Sequence, residues 1–160
     1  MNIDPLGAVS VTADSIPQGQ GHGTILATIV ADELGLRPES IVVNMERDTQ
    51  RDPWSIATGN YSSRFSSATA VAGLKAAQQA REKLARIAAS SLNVQPDDIS
   101  FKDGQVFATD NPENALRFTR VAGSAHWSPG ELPEGMTPGI SETASISAPQ
   151  QEPPNEKDQI

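Results

Sequence analysis

At 160 residues the chain fits one domain of ordinary size better than two. Apolar residues at 37%, with 12 glycines, are enough to bury a core and exclude wholesale disorder; a net charge of -8, from 12 bases against 20 acids, argues against nucleic acid or anionic lipid as the main partner. No cysteine means no disulfide, thiolate zinc site, chain-held iron-sulfur cluster or cysteine nucleophile, and two histidines, His22 and His126, are too few for a histidine-rich zinc site.

No apolar run approaches membrane-spanning length, and the first residues lack a basic start followed by an apolar stretch. The expectation is a cytoplasmic chain with no membrane and no nucleic-acid partner.

In chain order, Val9 and Val11 alternate with Ser10 and Thr12 after the turn pair Leu6-Gly7, the period-two signature of a half-buried strand. A glycine-rich loop follows, Gln18 to Gly23. Then Ile25, Leu26, Ile29, Val30 and Leu34 recur at helical spacing until Gly35, with Thr24 the expected N-cap. Ile41 to Met45 is β-branched and too short for a helix, hence a strand.

From Arg47 to Ser63 the chain is polar and turn-prone, broken by Asp52-Pro53 and Gly59-Asn60. A long helix is expected from about Ser66 to Ser91, with an alanine-rich stripe against which a neighbour can approach closely and a Glu82–Arg86 pair on its solvent side. Ile99 to Phe101 and Gln105 to Ala108 read as a hairpin around Asp103-Gly104, and Asn111 to Glu113 as the opening of a short helix with Pro112 at its first position.

Leu34 to Ile41 and Leu92 to Ile99 share one grammar of helix end, turn proline, acid and strand start. Composition changes at Trp127: the segment to Ile160 holds half the prolines, with six acids against one base. The expected organisation is a regular part, 1–126, followed by an extended, acidic, proline-rich arm, 127–160. The expected class is α+β, a mixed sheet with helices packed on one side in the order β-α-β-α-β-β-α.

Two stretches could carry chemistry. Gln18, Gly19, Gln20, Gly21 and His22 lie between a strand and a helix start, where glycines let a ligand approach the backbone and the free N–H groups of the first turn favour an anion. A flexible linker would read the same way. Ser62, Ser63, Arg64, Phe65 and Ser66 open the long helix with hydroxyls and a guanidinium, although serine also caps helices without any ligand. Two such starts in one small domain suit one diphosphate-bearing ligand. Trp54, Tyr61, Phe107, Phe118 and Trp127 read as packing or anchoring residues, His22 as a solvated loop histidine unless a ligand takes it up. No nucleophile stands beside a base.

The Gln18–Thr24 loop, the Val30–Ile41 helix-to-strand join, the Gly59–Gly73 run and the Ala125–Gly139 stretch together resemble the molybdenum-binding subunit of the xanthine dehydrogenase, aldehyde oxidase and aerobic carbon monoxide dehydrogenase family. The resemblance covers nearly the whole chain. It implies a molybdopterin cofactor with molybdenum, often as the cytosine dinucleotide, with Gln18, Gly19, Gln20, Gly21 and His22 along the pterin and Ser62, Ser63, Arg64, Phe65 and Ser66 forming a second cradle. The cofactor's own dithiolene sulfurs hold the metal, so absence of cysteine is no obstacle.

Family members hydroxylate aldehydes, N-heterocycles and related small molecules with water as oxygen source. Their subunits are several times longer, and the glutamate base lies in a G-x-G-E segment beyond the region matched here; Gly130-Glu131 stands in another context. The resemblance therefore implies a cofactor-binding piece, inactive alone, whose partners are the rest of the molybdenum subunit, an iron-sulfur subunit and a flavin subunit. Two other readings of the residues stay open: a small dinucleotide-type nucleotide-binding domain, from strand, G-x-G-x-G, helix and a strand ending near Glu46, and a ligand-free interaction scaffold.

Overall fold

The computed structural model describes residues 1–46, 48, 50 and 63–146. Asn2–Ile3 (β1) turns back into Val9–Thr12 (β2) through a turn pinned by Asp4, whose Oδ1 accepts the N–H groups of Leu6 and Ala8 at 2.8 and 2.9 Å. In β2 the two valines are buried and Ser10 and Thr12 exposed. His22–Leu34 forms helix α1, and Ile41–Asn44 (β3) then pairs in parallel with β2, Val9 opposite Ile41 and Val11 opposite Val43.

A π turn at Phe65–Thr69 runs into helix α2, Ala70–Leu92. Strands β4 (Ile99–Lys102), β5 (Gln105–Ala108) and β6 (Asn111–Arg117) form an antiparallel sheet, followed by helix α3 (Phe118–Trp127) and the short strand β7 (Ile140–Ser141).

The class is α+β, but the strands divide into two sheets, β3-β2-β1-β7 and β4-β5-β6, where one mixed sheet was expected. Helix α2 is the shared spine: it packs on α1 and α3 and touches strands of both sheets. One core continues through Val9, Val11, Leu26, Val30, Leu34, Leu84, Val106 and Val121. The alanine-rich stripe does admit a close neighbour, with Ala77, Ala80 and Ala88 fully buried, and a Cβ on Gly73 would lie 2.3 Å from Leu26 Cδ1 of α1. Leu84→Ala is expected to cost about 2–5 kcal/mol, since Leu84 is 0% exposed at the centre of this spine; chemical denaturation of the variant measures it.

The repeated helix-to-strand grammar appears as two copies of one join. Gly35 (φ 65) and Asn93 (φ 58) end α1 and α2 in the left-handed conformation, Leu36 and Val94 donate back to Ala31 and Ala89 at 2.9 and 3.1 Å, and proline-led 3-10 turns at Pro38–Ser40 and Pro96–Asp98 feed β3 and β4. The two copies feed different sheets.

Three local expectations are corrected. The segment from Asn111 is a strand, not a helix, because Thr109-Asp110 makes a tight turn after β5 and Leu116 pairs opposite the buried Val106; Pro112, lacking an N–H, is tolerated on this edge strand. The helix proper begins seven residues later, at Phe118. Thr24 is not the N-cap: Gly21 (φ 74) turns the chain into α1 with no side-chain cap, and Thr24 sits inside the first turn. Arg86 donates to the Glu134 carbonyl at 3.2 Å instead of pairing with Glu82.

The start of the proline-rich arm packs on this same fold. Pro129–Glu131 makes a 3-10 turn, Gly139 N–H donates to Ala125 O at 2.7 Å, and β7 pairs antiparallel with β1, burying Ile140. Among the described residues no helix is long and apolar enough to cross a membrane.

Candidate functional site

The two stretches singled out in the sequence meet. His22, the first residue of α1, and Phe65, the first of the π turn leading into α2, lie ring on ring with centroids 3.8 Å apart and planes 4° from parallel. Both are buried, so His22 is not the solvated loop histidine expected: it opens a helix and turns inward, where Nδ1 lies 2.9 Å from the buried Ser15 hydroxyl.

Gln18, Gly19, Gln20 and Gly21 are exposed beside it, with the Gln20 side chain folded back onto the Gln18 N–H. A Cβ added at Gly19, Gly21 or Gly23 would meet nothing within 4 Å, so open ground lies over this backbone. Neither helix start has a side-chain cap or an acid in its first turn. Donors left over at such an end favour an anion.

On the α2 side, Ser63 is held at φ 56, and its carbonyl accepts both the N–H of Ser66 at 3.0 Å and the Ser66 hydroxyl at 2.8 Å. The Ser66 hydroxyl is thus spent inside its own turn. Ser62, like Trp54 and Tyr61, lies outside the described residues. The Arg64 guanidinium lies 3.6 Å from the Asp14 carboxylate, and Thr69 Oγ1 donates to the other Asp14 oxygen at 3.4 Å. Arg64 also lines a cleft of about 460 Å³ with Thr12, Asp14, Thr69, Gly73 and residues 141–146. Burial, opposed in part by the Glu142 charge, lowers the pKa of the Met1 amino group at the edge of this cleft.

Asp14, Ser15 and Thr69 were not singled out from the sequence. The first two could have been, because they follow the carboxyl end of β2 where it runs parallel to β3, the place where α/β units collect ligands. Thr69 carries no such signal, since only the fold sets it beside Asp14. Among the described residues no group of three or more His, Asp or Glu could hold a metal ion. A metal brought here would need ligands of its own.

The family model described as "Molybdopterin cofactor-binding domain" matches residues 1–159. Among curated proteins, the chain is 33% identical over 146 residues to the nicotine 6-hydroxylase large subunit of Paenarthrobacter nicotinovorans, covering 89% of this chain and 17% of that one. It is 31% identical over 140 residues to the carbon monoxide dehydrogenase large chain of Hydrogenophaga pseudoflava, covering 88% and 17%. Among solved structures, quinoline 2-oxidoreductase from Pseudomonas putida 86 superposes with a TM-score of 0.80 at 31% identity, over 92% of this chain and 18% of that chain. Reconstituted CO dehydrogenase from Oligotropha carboxidovorans gives 0.79 at 29% identity, again over 92% and 18%. The chain thus spans about a sixth of the length of these relatives.

Proposed function

The chain belongs to the molybdopterin cofactor-binding domain family, and from that premise we propose that its two helix starts grip one molybdopterin as part of the large subunit of a molybdenum hydroxylase. The observation that carries the reading is the meeting of two uncapped helix starts at the His22–Phe65 stack, with open glycine backbone on one side and Arg64 on the other.

In this reading Gln18, Gly19, Gln20 and Gly21 present backbone and amide groups to the pterin. His22 adds its N–H, its ring being turned inward. Ser62, Ser63, Arg64, Phe65 and Ser66 form the second cradle, where the guanidinium meets phosphate and Ser66, bonded back to the Ser63 carbonyl, fixes the turn. Charge-assisted hydrogen bonds of about 1.5–3 kcal/mol each and a dipole term of about 0.3–2 kcal/mol per helix end are ample for micromolar retention once several act together. Two separate donor sets suit a diphosphate with an organic group at either end, which favours the cytosine dinucleotide form.

The bound group would supply the redox chemistry of the molybdenum, through which an aldehyde, N-heterocycle or related substrate is hydroxylated with oxygen from water. This chain's residues bind and orient it; the base and the substrate pocket come from the rest of the large subunit, and electrons leave through iron-sulfur and flavin subunits. The isolated chain is expected to turn nothing over.

The test is to co-express the chain with polypeptides completing the large subunit and with the other two subunits, then measure molybdenum and pterin in the purified complex. Stoichiometric amounts of both are expected. Their absence from every complex containing the chain would reject the proposal.

A further inference from the structure

We infer that Asp14 and Ser15, with the His22–Phe65 stack, form a clasp that sets the distance between the two helix starts, making His22 a positioning residue whose ring acts on the ligand only through Phe65 and Ser15. The inference rests on the cofactor-binding reading above. Two consecutive residues of the loop after β2 each hold a different helix start: Asp14 takes Arg64 at 3.6 Å and Thr69 at 3.4 Å at the start of α2, while Ser15 takes His22 Nδ1 at 2.9 Å at the start of α1.

The stacked rings of His22 and Phe65 join the two helix starts directly. At a centroid distance of 3.8 Å the rings touch face to face, so they act as a spacer of fixed thickness. Burial of His22, Phe65 and Ser15 at 6, 8 and 4% exposure leaves neither ring room to turn aside. A ligand that bridges two cradles binds tightly only if both are already at its own span, because each ångström of adjustment is taken from the binding energy.

The stack also explains why a histidine can stand at an anion site without facing the anion. Its planarity and its Nδ1 serve the spacer, leaving the backbone of residues 21–23 as the surface presented to the ligand.

The probe is inorganic pyrophosphate, titrated into the full chain by calorimetry and by amide chemical shifts of Gly21, Gly23 and Ser66. Wild type is expected to show one dissociation constant, with both helix starts moving together. Phe65→Leu, which keeps apolar bulk but removes the flat face, and His22→Ala are expected to weaken binding by about tenfold or more and to uncouple the two sets of shifts. His22→Phe keeps the stacked ring but loses the Nδ1 contact to Ser15, so its affinity should fall between those of wild type and His22→Ala.

Leu84→Ala, remote from the clasp, controls for stability alone and should leave the affinity of folded molecules unchanged. No pyrophosphate binding by wild type would overturn the clasp as a spacer for this ligand, while molybdenum and pterin in the assembled complex decide the cofactor reading separately. Tight, concerted binding by Phe65→Leu or His22→Ala would overturn the clasp and leave the cofactor reading standing.

Discussion

Alanine at position 35 is expected to cost about 2–5 kcal/mol, a large share of the roughly 5–15 kcal/mol by which a domain is stable. Two independent penalties meet there. Gly35 has φ 65, where a side chain costs about 1–2 kcal/mol. A Cβ would also lie 2.4 Å from the Phe101 carbonyl carbon and 2.6 Å from the Lys102 nitrogen, backbone atoms that cannot swing aside as the end of a side chain can.

The crowding has a structural cause. Gly35 touches the second sheet: its carbonyl accepts the Gly104 N–H at 2.9 Å, and the Gly104 carbonyl accepts the Phe118 N–H at 2.9 Å, so the backbone of Gly104 links α1 and α3 through the β4–β5 turn. Arg81 of α2 closes the junction, lying 4.6 Å over the Phe101 ring and donating to the Glu33 carbonyl at 2.7 Å.

Gly104 supplies the control. It has φ 74 but nothing within 4 Å of its would-be Cβ, so Gly104→Ala should lose only the conformational term, about 1–2 kcal/mol. Thermal unfolding separates the two at about 2–4 °C per kcal/mol for a chain of this size. Equal losses at both positions would mean that the contact with Phe101 is relieved by a backbone shift.

How far the fold could be read in advance follows from which signals are local. The strand Val9–Thr12, helix α1 with its Gly35 stop and the Asp103-Gly104 hairpin each carry their periodicity and their breakers within a few residues, and each stands where expected. Strand β6 was missed because its seven residues carry Pro112, Glu113 and Asn114, poor strand formers; pairing with β5 overrides propensity there. The division into two sheets was hidden for a similar reason. Two joins with the same grammar feed β3 and β4, and nothing local says that one pairs with β2 and the other with β5.

For the site, glycine and serine composition at two helix starts was legible. The inward turn of the His22 ring was not, because it depends on a partner 43 positions further along the chain. The Asp14 contact to Thr69, across 55 positions, was hidden in the same way.

Reversing the charge at Arg64 is expected to strip the cofactor from the assembled complex. Arg64→Glu removes a charge-assisted contact worth about 1.5–3 kcal/mol and puts an anion where a phosphate should sit, so retention should fall by about 100-fold or more. The substitution also breaks the pair with Asp14 and leaves two carboxylates facing each other, so a displaced helix start is a second route to cofactor loss. The charge swap resolves this.

Asp14→Arg combined with Arg64→Glu restores an opposite-charge pair across the same 3.6 Å gap, with side chains about a quarter exposed. It should recover most of the melting temperature lost in Arg64→Glu while remaining more depleted in molybdenum and pterin than Asp14→Ala, which loses the same Thr69 contact but keeps the guanidinium. In that case the guanidinium at position 64 contributes by facing the ligand, and its pairing with Asp14 serves to aim it. Recovery of both melting temperature and cofactor in the swapped variant would instead assign Arg64 to the scaffold, and leave the backbone donors of the two helix starts as the anion's principal partners.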